Sequence, residues 1–504
     1  MRRRGPLPHF ATGASSVEIK CDVVVVGGGG AGLSAAVAAA EAGAKVVLLE
    51  KEESAGGTTA RAVGSFTAAG TPAQERAGIT DDPKAFAEDM MKFAGVDASR
   101  DNGRLRQVLA HQASSALAWL ETLGVRFVGP FPEPPHRVPR MHNAVPGGGA
   151  YTRVLEAAAR GRGVQVITGA AAQSLLTTDG AVAGIVLRRP YAQGGQGLAR
   201  VLAGRGVVLA TGDFSGNEAL RRQWLAPGAA AAVPVNPASS GDGHVMALDL
   251  GASLCGMGTT LGPQLRFPAP ARSEDWLARA EQWRWWRSLM PAVAQHLPRW
   301  ILALFVKRLL VTHTSPSSQL LAEGAVLVNA RGERLDAEGG GAEALAFELG
   351  GKGYIVMNAQ LAHRFKAFPY YIATAPGVAY AYYRDYVRGR PDLVHRSRTV
   401  EGLAQLVGAP VTALRRSLAD LPWRDDGPFV ALGPVFSMIT VTEGGLDIDE
   451  QARVCTSGGP IPGLYAAGGL AQGGMVLAGH GLHIAWAVTS GRIAGRSAAA
   501  ARQA

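Results

Sequence analysis

The stretch that decides the fold is Asp22-Val-Val-Val-Val-Gly27-Gly-Gly-Gly-Ala-Gly32. Its β-branched run ends at Val26 and predicts a short strand buried on both faces. The glycines follow at once with the spacing G-x-G-x-x-G. Leu33 to Ala42 is rich in alanine and predicts a helix that ends near Gly43. Ala44 to Leu49 predicts a second strand, which runs into Glu50. Strand, glycine turn, helix, strand and acid follow one another as in a dinucleotide-binding unit. Glu50 comes 23 positions after Gly27, against an expected spacing of about 20.

Each part has a physical task. Gly27 permits the tight turn, Gly29 lets the backbone approach a pyrophosphate, and Gly32 lets the helix pack against the strand. The helix start at Gly30 and Ala31 offers free N–H groups and a positive dipole end to phosphates. Glu50 is suited to accept hydrogen bonds from ribose hydroxyls. The plain alternative is a glycine-rich turn between strand and helix. Lys51 opens a second pattern, in which Gly56 and Gly57 precede the hydroxyls of Thr58 and Thr59. Such a pair directly after the ribose acid is unusual for an NAD domain.

Composition narrows the rest. The chain has 504 residues, 47% hydrophobic and 18% charged, which excludes a disordered or collagen-like polymer and predicts two to four domains. Cys21, Cys255 and Cys455 are far apart in sequence, so no metal site, iron–sulfur cluster or haem attachment is expected. Few cysteines and no apolar segment after Arg2-Arg3-Arg4 predict a reducing, cytoplasmic setting, with residues 1–16 as a disordered arm. The net charge of +10 has no nucleic-acid motif beside it, and no apolar run reaches the ~18 residues that span a bilayer.

The segment Glu50-Lys51 to Gly56-Gly57-Thr58-Thr59 resembles the flavoprotein family of fumarate reductase, succinate dehydrogenase and 3-ketosteroid Δ1-dehydrogenase. The resemblance recurs at Val207-Val-Leu-Ala210-Thr211-Gly212-Asp-Phe214, at Ser240-Gly-Asp242-Gly243, and at Gly463-Leu-Tyr-Ala-Ala-Gly468. It implies non-covalent FAD, because Thr58 to Arg61 lacks the histidine that tethers flavin in the succinate dehydrogenase branch. It also implies an α/β fold: a discontinuous Rossmann-like FAD-binding domain over 17–261 and 439–504, with an inserted α+β capping domain over 262–438. A helical insertion is expected at about 81–123. Ala170 or Ala171 would lie beside the adenosine, with Ala210, Thr211, Gly212 and Asp242 close to the cofactor. Gly468, Gly469, Gly481, Leu482 and His483 would hold the flavin end, with the last helix starting near His483.

The resemblance is weaker for the reacting groups. Where fumarate reductases carry a proton-donor arginine, Gly332 to Ala342 places Ala342. Where they carry a substrate histidine, Ile439 to Thr442 has none, and their late arginine falls near His480. A dicarboxylate calls for bidentate arginine partners, so fumarate and succinate are disfavoured. His480 on the late glycine loop is a candidate acid, base or carbonyl polariser. Tyr371, among the tyrosines of the cap, is a second candidate, and His313 a third. Each has a structural alternative: a loop hydrogen bond, aromatic packing and a turn, respectively.

Residues 272–308 hold five of the nine tryptophans, interleaved with arginines. Cap core with a solvated charged face, a lid over a lipophilic pocket, and peripheral membrane contact through 283–308 all fit this pattern. The combined expectation is an FAD oxidoreductase acting on a CH–CH or C=C bond of a hydrophobic, carbonyl-bearing molecule of steroid or terpenoid type. Its electron acceptor is unidentified, as no haem or iron–sulfur ligands are present. Two rivals are a reductase of small enoates and a non-catalytic electron-transfer or redox-sensing flavoprotein.

Overall fold

The computed structural model describes residues 18–190, 196–269, 315–336, 341–375 and 379–501. His313 and the whole tryptophan-rich stretch 272–308, with its three readings, lie outside the described residues.

The first strand is Glu18–Val26, and Val23, Val24 and Val25 are fully buried. It pairs in parallel with Val46–Leu49 on one side and Gln196–Leu209 on the other. The sheet extends through Gln165–Ile167 at one end and Gly459–Ala466 then Arg453–Thr456 at the other. A hairpin, Ala171–Thr178 and Ala181–Pro190, attaches to Gln196–Leu209. The helices Gly30–Glu41 and Leu482–Ala500 pack closely on this sheet and on each other. Alanine and glycine on both helices keep side chains short enough for that approach. The late strand Gly459–Ala466 thus returns to a sheet begun more than 400 residues earlier, beside Gln196–Leu209.

A second sheet is mainly antiparallel. Its order is Val233–Pro234, Phe429–Ile439, Lys352–Asn358, Val326–Asn329, with Gln264–Arg266 and Val394–Ser397 also on Phe429–Ile439. One face buries Leu265, Leu327, Ile355, Met357, Leu432 and Val435 in their own apolar core. Val233–Pro234 joins this sheet although it precedes residue 262 in the chain. Between Val46–Leu49 and Gln165–Ile167 of the first sheet the chain forms the helices Pro83–Ala94 and Gly103–Leu123 and a small sheet of Ser65–Thr67, Met141–Ala144 and Phe127–Phe131.

Candidate functional site

The crevice at the carboxyl ends of the parallel strands is where an open α/β sheet binds its ligand. Gly27 adopts φ +106°, and a Cβ there would come within 2.3 Å of the Ala210 carbonyl oxygen. A Cβ on Gly32 would sit 1.8 Å from the Gly27 oxygen, so the helix start and the turn touch through backbone alone. Above Gly29 the space is open, with no atom within 4 Å of a Cβ built there. The N-cap residue of the helix that begins at Gly30 is Gly29, which has no side chain to cap it, and the Gly30 amide donates to Thr59 Oγ1 at 3.2 Å. The amide of Gly56 donates to the Gly28 oxygen, which places Gly57 beside Gly29.

Glu50 is buried. Its Oε2 accepts from the Gly28 amide at 2.6 Å and its Oε1 from the Glu52 amide at 2.9 Å. A carboxylate offers about four acceptor sites, so acceptor capacity remains for ribose hydroxyls. The Ala170 amide donates to the Glu50 carbonyl, bringing Ala170 and Ala171 to that edge. Lys51 Nζ bridges Ser240 Oγ and Asp242 Oδ2, and Asn236 Nδ2 donates to Thr58 Oγ1 at 2.9 Å. Residues 51–59 and 236–242 are thereby drawn onto one side of the crevice. Thr211 Oγ1, beside Gly243, is buried with no hydrogen-bond partner among the described residues. An open cradle over Gly29, an uncapped helix start, spare acceptor sites on Glu50 and an orphaned hydroxyl at Thr211 fit FAD.

The late glycine loop is held by polar groups from four other parts of the chain. Asn102 Nδ2 donates to the Gly473 oxygen, and Asp101 Oδ1 accepts from the Val476 amide. Glu443 Oε1 accepts from the Leu477 amide, Glu133 Oε1 from the His480 amide, and Thr67 Oγ1 donates to the His480 oxygen. The loop then passes through Gly481 into the helix Leu482–Ala500, whose first turn also lacks a side-chain cap. His483 Nε2 lies 3.1 Å from Glu443 Oε1 without hydrogen-bond alignment. Gly468 and Gly469 stand beside Ala31 and the buried Asp213. Burial pushes the Asp213 carboxyl up, against hydrogen bonds from Ser215 and Thr442.

His480 is the titratable group this loop presents. Its Nδ1 contacts Glu133 Oε1, so Nε2 is the nitrogen left to face outward. The side chain is 67% exposed while Glu133 is 4% exposed, which places the imidazole in an open recess with its partner anchored beneath. The hydrogen bond to Glu133 holds the His480 pKa above its ordinary value, against the opposing effects of burial and of Arg266. A carboxylate behind one nitrogen fixes the tautomer and makes the other nitrogen a better base.

Glu133 is itself braced. Its carbonyl accepts from the His136 amide, and His136 Nδ1 contacts Arg140 Nη1 at 3.0 Å. Arg140 is fully buried and bonds Asp81 and Asp89, each at 2.6 Å. Burial pushes His136 down to about 4, so it is neutral, and Arg140 as donor leaves its proton on Nε2. Nothing in the sequence singles out Glu133. It sits among prolines, 347 residues from its partner.

The other candidates fall apart from His480. Tyr371 is half-buried in an aromatic cluster, 5.1 Å from the Tyr380 ring, which in turn packs on Phe368 and Tyr382. Among the described residues no hydrogen bond or ring contact joins Tyr371 to His480. Tyr386 packs on Phe267 in the cap core, and the Tyr383 hydroxyl accepts from Arg396. Arg334 is paired with the exposed Asp420 at the surface.

A dinucleotide crevice completed by a late glycine loop and flanked by a second sheet defines an FAD-dependent oxidoreductase. The chain belongs to the FAD binding domain family, which matches residues 22–267 and 302–481. It is 26% identical over 469 residues to a probable fumarate reductase of Shewanella frigidimarina, covering 87% of this chain and 68% of that protein. The fold is similar to the open conformation of a flavocytochrome c3 fumarate reductase, with a TM-score of 0.72 and 25% identity over 95% of this chain and 78% of that one. It is also similar to a 3-ketosteroid Δ4-(5α)-dehydrogenase from Rhodococcus jostii RHA1 in complex with 4-androstene-3,17-dione. There the TM-score is 0.60, with 25% identity over 98% of this chain and 99% of that one. Among the described residues no helix is long and apolar enough to cross a membrane, and no cluster of metal-ligating side chains is present.

Proposed function

We propose that the protein moves two hydrogens across a CH–CH or C=C bond next to a carbonyl in a bulky, hydrophobic substrate, with His480 handling the proton. Bound, non-covalent FAD supplies the two-electron acceptor or donor. In the oxidising direction, where bound FAD would accept the hydride from one carbon, His480 Nε2 takes the proton from its neighbour, so that a C=C bond remains. In the reducing direction the same nitrogen returns the proton. Glu133 orients the ring, and the clamped loop keeps it in place.

The observation that carries this reading is the His480–Glu133 pair on the late loop. It is an acid–base device at a place where the fumarate reductases of the resemblance carry an arginine. The likeness to fumarate reductases favours a second reading, a reductase of small enoates. Against it, Ala342 occupies the expected proton-donor position.

The test is the visible spectrum of the purified holoenzyme under anaerobic conditions, before and after addition of a 3-ketosteroid. Bleaching of the flavin band is expected. A band that stays with the steroid, while dithionite-reduced enzyme is reoxidised by fumarate, would replace this reading with the second.

A further inference from the structure

The arginines expected from the resemblance are missing, yet the second sheet contains a different one. Gln264–Arg266 runs antiparallel to Phe429–Ile439, with Gln264 opposite Met438 and Arg266 opposite Phe436. Directly opposed residues share a face of the sheet. Leu265 and Val435 point the other way, into the cap core. Gln264, Arg266, Phe436 and Met438 are all half-buried; the other cation on this face, Lys352 opposite Phe436, has its Nζ over the Tyr354 ring. Arg266 forms no ion pair among the described residues, and its Nε is buried without a hydrogen-bond partner. Two buried arginines contrast with it, Arg140 with two aspartates and Arg390 with Asp392; a third, Arg221, has no ion pair among the described residues but donates to the Ser215 carbonyl.

Withdrawing a guanidinium from water without a countercharge is costly, and burial alone pushes Arg266 below its ordinary value. Such a group persists where a ligand completes it. The chain enters this strand from Thr260–Leu261, which pairs with Val441–Thr442 next to Glu443, the residue that holds the Leu477 amide of the His480 loop, and the charge of Arg266 reaches His480. We propose that Arg266 is a substrate-docking cation that holds the carbonyl oxygen and stabilises the negative charge it gains when His480 takes the adjacent proton. The electron pair of the broken C–H bond moves toward that oxygen, and the new C=C bond forms as the hydride leaves the next carbon for bound FAD. A single guanidinium predicts one oxygen-bearing end and an apolar remainder lying along Phe436 and Met438. This inference rests on the proposed reading of the site and adds the specificity group to it.

The test uses the holoenzyme and two probes, 2-naphthol and fumarate, with wild type, Arg266→Gln and Arg266→Lys. Arg266 has no ion-pair partner to orphan among the described residues, so both variants are expected to fold and bind FAD. Bound naphthol reports the charge on its oxygen by its absorbance. In the wild type the naphtholate form should be favoured, with affinity about tenfold or more above that in Arg266→Gln, and Arg266→Lys should recover part of it. With a turned-over ketone, Arg266→Gln should lower kcat more than it raises KM, since the charge develops in the transition state. Equal naphthol binding and ionisation in wild type and Arg266→Gln would overturn the inference and leave the bulky-substrate reading standing. Fumarate binding that depends on Arg266, with no naphthol binding, would keep Arg266 as the docking cation and overturn the bulky-substrate reading. Binding of neither probe to the wild type would overturn both.

Discussion

The cradle at residues 27–59 and the recess around His480 are made of different materials. The cradle is backbone: Gly27 and Gly32 bring main chain against main chain, Gly29 leaves open space beside them, and Glu50 bonds amides within two to twenty-two residues of itself. The recess is side chains brought from afar: Glu133 from the loop between Phe127–Phe131 and Met141–Ala144 of the small sheet, Arg266 from the cap, and His480 from the last loop. A backbone site tolerates no added atom, whereas a side-chain site can lose a group and keep its shape.

Gly32→Ala breaks the first kind. The added Cβ would lie 1.8 Å from the Gly27 oxygen, and neither backbone can retreat without separating the helix from the sheet. Loss of bound FAD and of cooperative unfolding is expected, measured by flavin absorbance after gel filtration and by thermal melting. A variant that keeps stoichiometric flavin would show that the turn is looser than described.

Arg140→Met separates support from chemistry. It leaves Asp81 and Asp89 buried without their shared partner and removes the donor to His136. Breaking a buried pair from one side costs about 3–5 kcal/mol, to be read by denaturant titration of the holoenzyme. Flavin binding should survive under native conditions, because no cradle residue touches Arg140. A loss below about 1 kcal/mol would mean that this network does not hold the Glu133 turn.

The same contrast decides what could be read in advance. The cradle was legible because its contacts are local: Gly27 to Glu50 spell a turn, a helix and an acid within one supersecondary unit. Even there the first strand starts at Glu18 rather than Asp22, because its early residues pair with Arg200 to Ala203 in a distant strand. Lys51 and Asp242 could both be placed near the cofactor by resemblance, but not their contact with each other. In the recess only His480 could be named, since its loop carries the glycine pattern. Glu133 gave no local signal, being one acid among prolines. Arg266 gave none either, because an orphaned charge is defined by the partners it lacks in space. The cap tyrosines stood out by number, yet Tyr383 and Tyr386 are fixed by packing and by Arg396 rather than by the recess. His313 and the whole tryptophan-rich stretch fall outside the described residues.

Glu133→Gln makes the smallest change and tests the comparison at its sharpest point. The amide keeps an oxygen for the His480 main-chain N–H but removes the negative charge behind Nδ1. The hydrogen bond to Glu133 is the main influence that raises the His480 pKa, while burial and Arg266 lower it, so the substitution brings it down. A base must be neutral to accept a proton, hence dehydrogenation rises with pH through the His480 pKa. In Glu133→Gln that rise moves to lower pH, and the plateau above it falls by about tenfold, part of the ~10²–10⁴ that general acid–base catalysis contributes. Stability gives the second readout. A histidine whose folded pKa is raised stabilises fully below its unfolded value of about 6.5, and that contribution fades as pH climbs through the folded value. The stability gap between wild type and Glu133→Gln should therefore be largest in mild acid and shrink toward alkaline pH. If the activity limb stays where it is in the wild type, another group carries the proton. If it moves upward, the carboxylate is not what raises His480.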